Sequence, residues 1–134
     1  MTFYGSLPDP LRLPAGDLRP ANIVDSIRGG LFIYSMGDSV ASANNLAPPS
    51  NGLIFHVTGA TQINLISNLG ALGGSPLTMI FDSTPVVKNN QAASGDYKPI
   101  ILNAGVDFAT AVNSTLSVVY DTKNNVFIET GRKA

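Results

Sequence analysis

The sequence predicts an all-β protein: an antiparallel β-sandwich or jelly roll of about eight short strands, with an extended N-terminal arm. Three observations carry this prediction. Short apolar runs recur at intervals of roughly eight to twelve residues. Nine prolines and thirteen glycines punctuate the 134 residues, and both residue types interrupt helices. No amphipathic pattern of three helical turns occurs along the chain.

The N-terminal segment, residues 1–27, is predicted to be the arm, and residues 28–134 are predicted to form the β domain. The segment holds four of the nine prolines, and proline drives the residue before it toward extended conformations. It also carries more large apolar side chains than a solvated tail would. We therefore expect it to lie on a partner molecule, with contacts from Phe3, Tyr4, Leu7, Leu11, Arg12, Leu13 and Arg19, the two arginines pairing with carboxylates.

The strands of the β domain are predicted from short apolar or alternating runs bounded by Gly, Pro, Asn and Asp. In the run at 61–67, Ile63 and Leu65 alternate with polar residues, which indicates one buried side. We expect this run to form a hairpin with the preceding one, and the last two runs to form a C-terminal hairpin. The predicted strands cover residues 31–34, 53–58, 61–67, 77–82, 86–87, 99–103, 115–121 and 126–130.

The charge pattern bears on partners. Residues 39–81 contain no Asp, Glu, Lys or Arg, and only 13% of the chain is charged, against about a quarter in ordinary soluble domains. A surface of neutral atoms is suited to contact with another protein. The net charge of -1 without a basic cluster disfavours nucleic acid and anionic membranes as partners.

Targeting signals and redox-active residues are also missing from the sequence. The chain has no cysteine, which excludes disulfides, thiolate chemistry and Cys-ligated zinc. It has neither a signal-peptide pattern nor a run of about eighteen apolar residues. We therefore expect a soluble, unprocessed product.

No catalytic, cofactor-binding or metal site is predicted, and we expect a protein that is not an enzyme. His56 is the only histidine, and strand alternation places it on the outward face, where it lacks the second His or Cys of a transition-metal site. A serine hydrolase would need His56 beside a serine and a carboxylate. We interpret His56 as a surface or interface residue.

The other candidate catalytic groups in the sequence are carboxylates. A glycosidase needs two of them roughly 5–10 Å apart, and the candidates that could converge at one end of a sheet are Asp82, Asp107, Asp121 and Glu129. Aspartates that end strands more often accept hydrogen bonds within turns. A small glycan hydrolase is therefore kept only as an alternative hypothesis.

A series of short motifs runs in a fixed order through residues 61–132. They are Ile63-Asn64-Leu65-Ile66, Leu77-Thr78-Met79-Ile80-Phe81, Ile100-Ile101-Leu102, Gly105-Val106-Asp107-Phe108, Thr115-Leu116-Ser117-Val118-Val119-Tyr120-Asp121 and Phe127-Ile128-Glu129. This series resembles a β-rich module of tailed-phage virion proteins, found at the ends of tail spikes and fibres and in small head-decorating proteins. The chain departs from the module at its tryptophan, where Val126-Phe127 stands, and at an acidic position, where Ser114 stands.

The resemblance implies a role in virion assembly. Because the module here follows only a short arm, it favours a small decoration, or cement, protein on the outer surface of a phage capsid, made in the host cytoplasm. The implied partners are the major capsid protein and further copies of the chain, as a homotrimer. The alternative is a tail-fibre or tail-spike knob that binds carbohydrate receptors through the loops at 39–51 and 88–98.

Overall fold

The computed structural model describes residues 36–71 and 73–134, and this part of the chain is built almost wholly of strands. Its ten strands are β1 (Val40–Ala41), β2 (Asn45–Leu46), β3 (Ile54–Thr58), β4 (Leu65–Ser67), β5 (Pro76–Phe81), β6 (Val86–Val87), β7 (Tyr97–Ile101), β8 (Phe108–Ala109), β9 (Thr115–Asp121) and β10 (Val126–Lys133). A 3₁₀ turn spans Asn103–Gly105. The all-β class is confirmed. The predicted arm at 1–27 and the predicted strand at 31–34 lie outside the described residues.

The strands form one large sheet and one small one. The order in the large sheet is β1-β3-β5-β9-β10-β7-β4-β2, and β6 pairs with β8 separately. Antiparallel ladders join β5 to β9, β9 to β10, β4 to β7 and β6 to β8. Parallel ladders join β1 to β3, β3 to β5, β7 to β10 and β2 to β4.

Of the two predicted hairpins, one forms and one does not. The C-terminal hairpin is confirmed, because β9 and β10 pair from Asp121↔Val126 to Thr115↔Lys133. The predicted hairpin between 53–58 and 61–67 is wrong, because β3 pairs with β1 and β5 while β4 pairs with β2 and β7. Between β3 and β4 the chain passes beside the small sheet, where Ile63 forms a parallel bridge with Val87. It therefore does not turn back onto β3. The sequence pattern therefore located β3 and β4 but not their partners.

The large sheet is rolled. Its two edge strands, β1 and β2, are separated in sequence only by residues 42–44. The four residue steps from Ala41 to Asn45 span at most about 14 Å, whereas eight flat strands would span about 34 Å. The edges must therefore approach each other, and the sheet encloses an inner side.

The inner side holds the core. Along β3, β5 and β9 every second residue is buried, as expected for a strand with one packed face. The small sheet adds Val87 and Phe108, and the Phe108 ring meets Phe81 edge-on with centroids 6.3 Å apart. The largest fully buried side chains include Phe55, Phe81, Leu46, Ile63, Ile66, Met79, Ile100 and Leu116.

Candidate functional site: the outward face of the sheet

An apolar row crosses the outward face of the large sheet. Pro76 of β5 lies opposite Val119 of β9, Val119 lies opposite Ile128 of β10, and Ile128 lies opposite Ile101 of β7. Residues that are paired across a ladder share one face of the sheet. These four residues, which we call the apolar row, therefore form a continuous band across four strands. Pro76 is exposed and the other three are half-buried.

Most of the neighbouring outward positions are also uncharged, with the exception of Asp121, which pairs with Val126 at the end of β9. Ile54 of β3 pairs with Thr78 of β5, which pairs with Ser117 of β9. The Thr78 and Ser117 hydroxyl oxygens are 2.9 Å apart and share a hydrogen bond, so these polar groups satisfy each other. The centre of this face thus presents aliphatic side chains and one closed hydroxyl pair.

Two charged residues of β10 turn to the inner side. β10 has a bulge between Glu129 and Gly131, which shifts the alternation so that Glu129 and Arg132 both face inward. Arg132 donates to both Glu129 carboxylate oxygens, at 2.6 and 2.7 Å, and its guanidinium carbon lies 4.0 Å from the Phe108 ring centroid. Only 4% of the Glu129 side chain is exposed. The Arg132 hydrogen bonds, reinforced by the Asn103 amide, lower the pKa of Glu129.

The hypothesis that four carboxylates converge at one end of the sheet is wrong. β5 and β9 are antiparallel, with Pro76 opposite Val119 and Ile80 opposite Thr115. Asp82 follows one end of this ladder and Asp121 ends β9 at the other, so several residues at about 3.3 Å each separate them. Within the described residues, no three His, Cys, Asp or Glu side chains are grouped as they would be around a metal ion.

All four carboxylates are held in local contacts, Glu129 by Arg132 and Asp82 by His56. The Lys123 amide and the Asn124 side chain donate to Asp121, which is the turn chemistry expected of an aspartate that ends a strand. Asp107 accepts from the Asn89 amide at 2.8 Å. That bond and the Lys88 ammonium lower the pKa of Asp107.

His56 is an outward residue, as the alternation predicts. Its Nδ1 lies 2.5 Å from an Asp82 carboxylate oxygen, and 37% of the His56 side chain is exposed. A histidine and a carboxylate are two members of a hydrolytic triad, but no serine or threonine hydroxyl in the described part of the chain hydrogen-bonds to this imidazole. The pair is therefore a surface contact that ties the middle of β3 to the residue after β5.

The loop at 88–98, the candidate glycan loop, uses three of its polar side chains, those of Asn89, Gln91 and Lys98, in internal hydrogen bonds. The Asn89 side-chain oxygen accepts from the Leu102 amide at 2.8 Å. Gln91 donates to the Asn89 carbonyl, and the Lys98 ammonium donates to the Gly95 carbonyl. These groups hold the loop in shape, and binding a sugar through them would require breaking those bonds.

The predicted contact residues all lie outside the described residues, so their role stays a prediction. They are Phe3, Tyr4, Leu7, Leu11, Arg12, Leu13 and Arg19.

The sequence analysis did not predict the apolar row. The sequence did contain a signal for it, because Val119, Ile128 and Ile101 occupy positions where a solvated strand would alternate to polar residues.

No helix of the described residues is long and apolar enough to cross a bilayer. No protein-family model matches the chain, and neither the curated proteins nor the solved structures include a significant match to it.

Proposed function

We propose that the protein is a non-enzymatic virion component that decorates and cements a phage capsid. It associates with further copies of itself, and its N-terminal segment anchors it on neighbouring subunits of the major capsid protein. The observation that supports this proposal best is the neutral outward face centred on the apolar row. A protein that acts alone in water has no need of such a face, whereas a protein covered by others does.

Two further features support a structural role. His56 and the carboxylates of Asp82, Asp107, Asp121 and Glu129 are engaged in local pairs and turns. The large sheet is rolled with very short edge strands, and short edges resist uncontrolled strand pairing between copies. A protein packed at high density on a shell needs that resistance.

In the proposed cementing mechanism, the contacts that each copy makes with the capsid add together. Each copy contacts more than one capsid subunit, so expansion or rupture of the shell must break several contacts together. Linked weak contacts raise overall binding by about 10²–10⁴-fold over one contact alone. The proposed anchors are the apolar residues of the arm, and Arg12 and Arg19 pair with carboxylates of the capsid protein.

The test uses undecorated capsids and the purified full-length chain. Co-sedimentation should show saturable binding, and replacing Leu7, Leu11 and Leu13 together by serine should weaken it at least tenfold. The matched control is Leu69→Ser, because Leu69 is a leucine of the described domain that is 74% exposed. Its binding should equal that of the unaltered chain, with both variants melting at the same temperature.

Other results would favour other functions. Deleting residues 1–20 should abolish capsid binding while the β domain still folds. If binding survives the deletion and the protein instead retains glycans on an array, the carbohydrate-binding knob is favoured. If the protein hydrolyses a glycan and Asp→Asn substitution stops it, the proposal is wrong.

A further inference from the structure

The loop between β2 and β3 contains an asparagine that is followed by a glycine. Asn51-Gly52 is the only Asn-Gly pair in the sequence, and Asn51 is exposed. The backbone nitrogen of a residue can attack the side-chain carbonyl carbon of an asparagine before it, and a glycine has no Cβ to hinder that approach. The pair therefore carries both reacting groups, and water reaches the Asn51 side chain.

A backbone donor holds the Asn51 carboxamide. The Asp38 amide donates to Asn51 Oδ1 at 2.9 Å. When a nitrogen attacks the carboxamide carbon, negative charge develops on this oxygen, and a fixed N–H donor stabilises that charge. The hydrogen bond that orients the side chain in the folded protein thus also lowers the barrier to attack on it.

Gly37 leaves open the space beside the two reacting groups. A Cβ added to Gly37 would lie 2.9 Å from Asn51 Oδ1 and 3.1 Å from the Gly52 nitrogen. The carboxamide oxygen and the amide nitrogen therefore border the same small space, next to the Gly37 backbone. Neither Gly37 nor Gly52 has a side chain that could block it.

We propose that Asn51 is a site of self-modification. The Gly52 nitrogen bonds to Asn51 Cγ and gives up its proton, the Cγ–Nδ2 bond breaks, and the side-chain nitrogen takes up that proton and leaves as ammonia. Water then adds to one of the two carbonyl carbons of the cyclic imide and opens the ring, to aspartate or to isoaspartate. Water is the only co-reactant, so conversion proceeds with time after folding, whether or not the proposed function is correct.

The product changes the contact between Gly37 and the loop at 49–52. Conversion places a carboxylate in the stretch at 39–81, which otherwise has no charge. In isoaspartate the backbone also runs through the former side-chain carbon and is one atom longer. Pro49 Cγ and Asn51 Oδ1 both lie 2.9 Å from the position of a Cβ on Gly37, so little room remains for a longer backbone. We expect the hydrogen bond from the Gly37 amide to the Ile54 carbonyl, 2.7 Å long, to weaken.

The test is to age the purified full-length chain at about pH 8 and 37 °C in water enriched in ¹⁸O. Peptide mapping by mass spectrometry should show conversion of Asn51 at least tenfold faster than conversion of Asn113, whose next residue, Ser114, carries a side chain and donates its amide to a carbonyl. Each conversion should add one ¹⁸O atom. Gly52→Ala should slow conversion at least tenfold. Gly131→Ala is the matched control, because nothing in the described chain lies within 4 Å of a Cβ there, and it should leave the rate unchanged.

The role of the Asp38 donor is tested separately. Asp38→Pro removes the N–H group and should slow conversion at least threefold, whereas Asp38→Ala keeps that group and should not. In the aged chain the Gly37 amide should exchange its hydrogen at least tenfold faster than in the fresh chain, with the amide of Val118, in a central strand, unchanged.

Three results would overturn the proposal. The first is a chain in which Asn51 stays intact under these conditions. The second is equal conversion in the unaltered chain and in Gly52→Ala. The third is slower conversion in the folded chain than in the same chain unfolded in urea, because the Asp38 hydrogen bond would then protect Asn51. Circular dichroism of each variant confirms that folded chains are being compared.

Discussion

Replacing Arg132 by methionine is expected to lower the free energy of unfolding by about 1–2 kcal/mol. The change leaves Glu129, whose side chain is only 4% exposed, without its charged partner, and breaking a fully buried pair from one side costs about 3–5 kcal/mol. The expected loss is smaller here because Arg132 is an exposed residue and the Asn103 amide still donates to Glu129 at 2.8 Å. Methionine keeps an unbranched stem but lacks the guanidinium that lies over the Phe108 ring.

The assay is urea unfolding followed by circular dichroism, with thermal melting beside it. A loss of about 1–2 kcal/mol corresponds to roughly 4–8 °C in melting temperature for a chain of this size. Lys133→Met is the matched control, because it removes one positive charge from the adjacent, exposed residue, and it should change stability by less than about 0.5 kcal/mol. If Arg132→Met and Lys133→Met are equally mild, the inward ion pair does not anchor β10.

The pH dependence checks the cause. The Arg132 hydrogen bonds lower the pKa of Glu129 in the folded protein, so their contribution is present above the unfolded value of about 4.3 and is lost as pH falls through the folded value. The stability difference between the two proteins should therefore be full at pH 7 and should shrink below about pH 4. An equal difference at pH 7 and pH 3 would show that charge is not responsible.

Two further substitutions test local contacts. Tyr120→Phe should lower the free energy of unfolding by about 1–2 kcal/mol, because the Tyr120 hydroxyl accepts from Asn68 at 2.9 Å and donates to Asn125 at 3.1 Å. Tyr97→Phe is the control, and equal urea midpoints for the two variants would contradict these hydrogen bonds. Ala104→Gly should raise stability by up to about 1 kcal/mol, because Ala104 has φ 59°, a conformation that costs an L-residue about 1–2 kcal/mol; a lower melting temperature would contradict this.

The sequence located most of the longer strands. The predicted runs at 53–58, 77–82, 115–121 and 126–130 each overlap an observed strand, because alternation and turn residues are local signals. The strands β1, β2 and β8 were missed, since two residues carry no periodic pattern, whereas the equally short β6 was predicted from its two adjacent valines. The failed hairpin has a related cause: β3 pairs in parallel with β5 across a long connection, and no local signal specifies such a pairing.

The candidate site, like the fold, was predictable from the sequence only in part. That Val119, Ile128 and Ile101 are apolar at alternate positions could be read from the chain. That they form one band depends on three ladders whose registers bring them together. The inward position of Arg132 was not predictable either, because simple alternation from Phe127 places it outward and only the bulge after Glu129 reverses it.

By itself, the sequence determined that the chain is rich in short strands, that residues 39–81 carry no charge, and that cysteine chemistry is excluded. These follow from composition and from patterns between close neighbours. The tertiary structure decided which neutral side chains lie together and which charges are hidden. Strand order, register and the β10 bulge depend on contacts between distant residues, and a shift of one residue would turn every side chain of a strand to the other face.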